Sequence, residues 1–310
     1  MMGAFSSRTG SLQPLQIPIV DAHHHLWRKA DLPWLSGPML PRIFGEYEAI
    51  RRDYLIDEFR QDMASSGVVK SVYVQANWPE AGALDEVAWV QSVSNQHHFP
   101  HAIIGYANLA DPQVGRLLDA QMAHPGFRGV RQQLHWHQNP LYRFAPAPDA
   151  FMDPQWQRGL AQVQERGLIF ELQVFPSQMA DAVKLVRQFP KQTFVLLHAG
   201  MLVDFAPETM RAWRTGVQNL ADCPNVCTKL SALSTFARRC DVDIWQPTVH
   251  ETLSMFGAER CMFGSNFPVE KLWTSYAHLV DVMHQCLRDY PESTQKAVWH
   301  DTASRVYRLG

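Results

Sequence analysis

Two histidines one residue apart, His23 and His25, stand in the segment Val20-Asp21-Ala22-His23-His24-His25-Leu26-Trp27, directly after a short apolar run. Side chains alternate across a strand, so an HxH pair at a strand end points to one side. Two imidazoles placed that way can share a divalent cation or flank one group of a substrate. A third histidine, His198, closes a second apolar run, Phe194-Val195-Leu196-Leu197, and precedes Ala199-Gly200. Three imidazoles from two strand ends make a metal-ligand set or an acid–base set. Glu171 lies within Ile169-Phe170-Glu171-Leu172, where a carboxylate is costly to bury unless it has a partner or a task. It is a candidate general base, and equally a carboxylate that orients His23 or His25 from behind. His198 is the other candidate base, since imidazole is mostly uncharged at pH 7. Arg131, after Gly129-Val130, can grip a substrate carboxylate through two parallel N–H donors or form a structural ion pair. Gln75, His135 and Lys229 lie at or near strand ends and are candidate hydrogen-bonding groups for a substrate.

These residues need elements that bring them together. Apolar runs rich in Val, Ile, Leu and Phe recur at 17–22, 69–76, 102–107, 129–134, 168–174, 193–198, 225–230 and 261–264. Stretches of helical period separate them, at 55–66, 83–98, 113–123, 154–166, 177–188, 207–221, 245–256 and 275–289, and a further one closes the chain at 294–309. Strands apolar almost throughout suit a parallel sheet covered on both faces. Eight strand–helix units predict an α/β fold, a single (β/α)8 barrel with elaborated βα loops. No GxGxxG follows the first strand, which argues against a dinucleotide-binding sheet. Two long insertions, 28–54 and 135–153, follow strands and so belong to the face where barrels keep their chemistry. Residues 1–16 read as a flexible arm and 17–310 as one domain.

Composition narrows the partners. The 310 residues are 46 % hydrophobic and 19 % charged, with a formal charge of −2. That balance is globular, and the absence of a basic run argues against nucleic acid. No apolar run approaches the ~18 residues of a membrane span, and the N-terminus makes a poor secretory signal. The five cysteines read as free thiols, and a reducing cytoplasm is the simplest setting.

Three motifs, in strand order, resemble the lactonase-type branch of the amidohydrolase superfamily: the DAHHHLW segment, His198-Ala199-Gly200, and Phe263-Gly264-Ser265-Asn266-Phe267-Pro268. The resemblance runs from about residue 17 to the C-terminus, and Gly129-Val130-Arg131 fits it too. It implies that His23 and His25, with His198, match residues that hold a divalent cation in metal-bearing relatives. It also places Asn266 where the family usually has an aspartate. Asn cannot take a proton from water and offers a metal only a neutral carbonyl oxygen. The base is then expected at Glu171 or His198, and one zinc or manganese ion is expected to be weakly held or absent. The expected activity is hydrolysis of a lactone of a small carboxylic or sugar acid. The alternatives are metal-assisted decarboxylation of an unsaturated or aromatic acid, and a non-catalytic barrel that binds a small acid. Asn266 favours that last alternative, and the many retained strand-end polar groups favour an enzyme. No GxSxG elbow points to a serine nucleophile. The resemblance adds pairing into a homodimer as the expected assembly.

Overall fold

The computed structural model describes residues 17–310, so the expected arm at 1–16 lies outside the described residues. Eight parallel strands follow one another in sequence order: β1 (Ile19–His24), β2 (Val68–Val74), β3 (Ala102–Gly105), β4 (Phe127–Arg131), β5 (Ile169–Leu172), β6 (Phe194–Leu196), β7 (Val226–Leu230) and β8 (Cys261–Phe263). A helix follows each: α1 (Ile56–Met63), α2 (Ala83–His97), α3 (Val114–Met122), α4 (Pro154–Glu165), α5 (Met179–Gln188), α6 (Pro207–Ala221), α7 (Val242–Phe256) and α8 (Tyr276–Leu287). This is the (β/α)8 barrel that the alternation predicted. No helix among the described residues is long and apolar enough to cross a membrane. The five cysteines are free and buried.

Two apolar layers follow from the two phases of each strand. Val20, Ala22, Val72, Val74, Ile104, Ile169, Val195 and Met262 form the inner cluster. Tyr73, Ile103, Val130, Phe170, Phe194 and Leu230 face the other way, into the layer shared with the helices. A final helical run ends at Thr302–Tyr307, and its Ala303, Val306 and Tyr307 join the inner cluster. Lys70 at the start of β2 donates to the carbonyl of Leu309, so this segment plugs the N-terminal end of the barrel.

Closure of the barrel is made by β1 and the turn after β8. His24 bridges in parallel to Phe267, and the N–H groups of His25 and Asn266 donate to Phe267 and His23 carbonyls, each at 2.7 Å. The buried Asp21 carboxylate ties the same seam. It accepts from the Ser265 N–H at 2.8 Å, the Ser265 hydroxyl at 2.6 Å and the Tyr276 hydroxyl at 2.9 Å. Burial pushes its pKa up, while those donors pull it back down.

Strand β1 runs two residues further than the sequence pattern indicates, through His24. Its pairing with β2 slips in register between Asp21 and His24. Such an irregularity changes the phase of the side chains beyond it. Ala22 faces inward, yet so does His23, while His24 turns outward and stacks on Phe59 of α1 with centroids 4.0 Å apart. Strand β4, conversely, stops at Arg131 rather than 134, because Gln132 turns aside to hold Leu109 and Trp156.

Replacing the Asp21 carboxylate removes the acceptor of four buried donors, the N–H groups of His23 and Ser265 and the hydroxyls of Ser265 and Tyr276, each worth roughly 1–3 kcal/mol. Asp21→Ala is therefore expected to lower stability by about 3–5 kcal/mol in chemical denaturation. A loss under about 1 kcal/mol would show that the backbone bridges close the barrel unaided.

Candidate active site

The register slip in β1 carries His23 and His25 to one side, with ring centroids 5.1 Å apart. The turn after β6 brings the third ring to them. His198, Ala199 and Met201 have positive φ angles of 57°, 47° and 54°, which L residues adopt only when their surroundings hold them there. Gly200 between them has φ 82°, and a Cβ there would meet Met179 at 2.4 Å. The reward is placement: His198 lies 4.8 Å from His23, centroid to centroid. Gly264, after β8, is glycine because a Cβ would strike the Cβ of His23 at 2.7 Å.

The partners of the rings fix their protons. His25 Nδ1 is 2.7 Å from the Val74 carbonyl, which only accepts, so Nδ1 carries the hydrogen and Nε2 a lone pair. His198 Nδ1 lies 2.8 Å from the Ser231 hydroxyl. His23 Nδ1 faces the Lys229 ammonium at 3.4 Å, a donor, so its own hydrogen belongs on Nε2. Burial keeps all three rings neutral. It pulls His25 down to about 3, with Arg131 adding to the effect, and holds His23 and His198 well below the usual imidazole value, helped by Lys229 and Arg131.

Beneath the histidines lies a fully buried ion pair, Lys229 to Glu171 at 2.6 Å. The Tyr307 hydroxyl, from the C-terminal plug, donates to the same carboxylate oxygen at 2.7 Å. Desolvation lowers the Lys229 pKa to about 8, with Glu171 opposing it. Arg131, on the neighbouring strand, donates to the Gln75 carbonyl at 2.5 Å. Its pKa is lowered to about 10 by burial, so it stays cationic at neutral pH. Among the described residues, Arg131 Nε and His23 Nε2 have no hydrogen-bond partner.

A cavity of about 390 Å³ opens at the C-terminal face, with His25, Arg131, His198 and Asn266 in its lining together with Gln133 and Gln173. Of the other residues singled out by sequence, His23, Glu171 and Lys229 lie below this surface, not on it. Lys229 is fully buried and engaged with Glu171 and His23, so its ammonium supports the ring of His23 instead of reaching into the cavity. Gln75 sits out of phase with the inward-facing Val72 and Val74. Its Oε1 accepts from the Asn77 N–H, and Ala76 lines the cavity in its place. His135 belongs to an adjoining cavity of about 430 Å³ that shares Arg42, Phe44, Asn77 and Gln133 with the first. Gln133 and Gln173 went unnoticed in the sequence, although each stands two residues after a singled-out residue and so shares its strand phase. Ser231 and Tyr307 had no local signal at all.

Asn266, with φ 54°, lies between the His25 ring and the buried Glu270 carboxylate and interacts with both. Burial raises the Glu270 pKa to about 7. An amide carries two N–H donors and suits that position, whereas an aspartate would meet Glu270 as a like charge. The same substitution bears on metal binding. A tightly held divalent ion needs at least three convergent lone pairs. Here His23 presents an N–H, the expected acid is an amide, and no three His, Cys, Asp or Glu side chains among the described residues are grouped to hold an ion. These residues do not fit a resident metal. Zinc or manganese added to the protein is accordingly expected to leave on dialysis against a chelator. One equivalent retained through that dialysis would overturn this reading of the donor set.

Comparison with known proteins places this geometry in a family. The amidohydrolase family model matches residues 20–309. An uncharacterized protein of Sinorhizobium fredii, y4mH, is 36 % identical over 298 residues, covering 94 % of this chain and 99 % of that one. An L-fucono-1,5-lactonase of Burkholderia multivorans is 29 % identical, over 94 % of this chain and 96 % of its own. A crystal structure of a Burkholderia multivorans amidohydrolase with bound zinc superposes with a TM-score of 0.79 at 28 % identity, covering 94 % of this chain and all of that one. The chain belongs to the amidohydrolase family, on the branch where its lactonase-named relatives lie.

Proposed function

We propose that this hydrolase opens the lactone of a small carboxylic or sugar acid with water that His198 deprotonates. The observation that carries the reading is the meeting of a neutral imidazole and a buried guanidinium in one cavity. With Nδ1 held at the Ser231 hydroxyl, His198 Nε2 is free to take a proton from water. The water oxygen adds to the ring carbonyl carbon, and the resulting oxyanion faces Arg131. Fixed donors aimed at such developing charge in a dry site contribute several kcal/mol. The ring C–O bond then breaks, and the imidazolium returns its proton to the departing alkoxide oxygen. The old carbonyl carbon has become a carboxylic acid, which releases the second proton of the water to solvent and stays beside Arg131 as a carboxylate. Glu171 and Lys229 act from below as positioning residues that hold His23 and the floor in place. The second base candidate from the sequence, Glu171, has its Oε1 occupied by Lys229 and Tyr307 and does not reach the cavity.

His198→Asn is expected to lower kcat on a hydrolysed lactone by about 10²–10⁴-fold, the usual worth of a positioned proton-transfer group. Activity within tenfold of wild type would remove His198 as the base.

The pH profile carries a sign. An ordinary imidazole base loses half its activity near pH 6.5 as protons arrive. With its pKa held well below that value, His198 stays neutral, and the rate should remain flat as pH falls from about 7 to 6. On the alkaline side the rate should drop as Lys229 loses its proton near 8, and Glu171→Gln should move that limb alone. An acid limb centred near 6.5 would contradict the assignment.

Asn266→Asp should not raise the rate from nothing. It should shift the pH profile, because the new carboxylate and Glu270 then share protons as one coupled pair. If the wild type hydrolyses no lactone while the aspartate variant does so with added metal, the hydrolase reading fails.

A further inference from the structure

The cavity has a polar floor and a wall of mixed character. Above His25, Arg131, His198 and Asn266, three separate βα loops each bring apolar side chains to the wall: Trp34 and Phe44 after β1, Leu202 and Phe205 after β6, Leu233 and Phe236 after β7. None of the six is fully buried, and Phe205 is 45 % exposed, so each keeps apolar surface open to solvent. A soluble protein gathers apolar surface in one concave place when something apolar occupies it.

Some of the polar groups at this level are already engaged, while Arg42 Nε, Gln133 Oε1 and Gln173 Oε1 have no partner among the described residues. The Trp34 indole N–H donates to the Ala76 carbonyl at 2.9 Å, leaving the ring face for contact. Arg42 lies over that ring, 5.5 Å from its centre. Arg239 pairs with Asp241 and Asp243, and Asp204 accepts from the Ala206 N–H within its own loop. Hydroxyls set against the six apolar side chains would be buried there without partners, which disfavours binding on that part of the wall, whereas Gln133 and Gln173 keep polar atoms free elsewhere in the lining. The volume of about 390 Å³ also suits more than a bare lactone ring.

We infer that the substrate is a lactone whose ring carries an apolar alkyl or aryl substituent, with the ring ester on the polar floor and the substituent against the apolar wall. This rests on the lactonase reading above and narrows it away from polyhydroxylated sugar lactones.

The test compares kcat/KM on three six-membered lactones: δ-valerolactone, δ-decalactone with its five-carbon chain, and D-glucono-1,5-lactone. Each buried methylene is worth roughly fourfold. The expected result is δ-decalactone at least about tenfold above δ-valerolactone, with gluconolactone no better than δ-valerolactone. Phe236→Ser should shrink the first ratio. Gluconolactone matching or exceeding δ-decalactone, or a ratio unmoved by Phe236→Ser, overturns this inference and leaves the lactonase reading standing. If none of the three is hydrolysed, the lactonase reading fails instead, and calorimetric titration of 5-hydroxydecanoate against gluconate decides the pocket. Tighter binding of hydroxydecanoate supports the apolar wall as a ligand site; gluconate bound equally or more tightly overturns it.

Discussion

A barrel must close on itself, and here closure passes through one buried carboxylate. At the seam the first strand pairs only with the turn after the last, through the His24–Phe267 bridge and two backbone hydrogen bonds. Asp21 supplements them by gathering a backbone N–H and a hydroxyl from Ser265 and the hydroxyl of Tyr276. Burying a carboxylate is unfavourable unless donors surround it, and three of these arrive from beyond β8. The same knot that shuts the barrel sets His23 against Gly264 and Asn266. Fold and site share that constraint: the residues that seal the seam also set the spacing of the first imidazole pair and the residue in the family's acid position.

The alternation of strands and helices was legible in the sequence because near-continuous apolar runs and stretches of helical period obey local rules. Inward positions such as Arg131, Glu171 and Lys229 followed from the same rules. The arrangement of the site was less legible, because its residues sit where those rules break. His23 and His25 reach the interior after a register slip, and His198 and Asn266 are turned by positive φ angles. A strand pattern cannot anticipate a break in its own period. Gln75 shows the converse: it looked like a strand-end ligand, and regular alternation turned it away. Tyr307, which supports Glu171 from 136 residues away, is visible only once the chain has folded.

Charge on the floor is uneven. Lys229 pairs directly with Glu171, Arg131 feels Glu171 and Glu86 at longer range, and the imidazoles around them stay neutral. In a low-dielectric cavity an excess cation is expensive to keep, and a developing oxyanion relieves it. The neutral amide at Asn266 fits this economy, since a carboxylate there would cancel the excess and stand against Glu270. Polar groups thus collect where charge develops, and the loops above supply shape and apolar contact.

The plug of the barrel places a condition on biogenesis. The carboxylate beneath His23 is completed by a hydroxyl from Tyr307, while the seam needs Asp21 from the first strand. Chains emerge from the ribosome N-terminal end first. Until residues 303–309 have been made, the inner cluster lacks its floor and the Lys229–Glu171 pair stays open to water. The support beneath His23 can therefore be completed only once the last residues of the chain have been made.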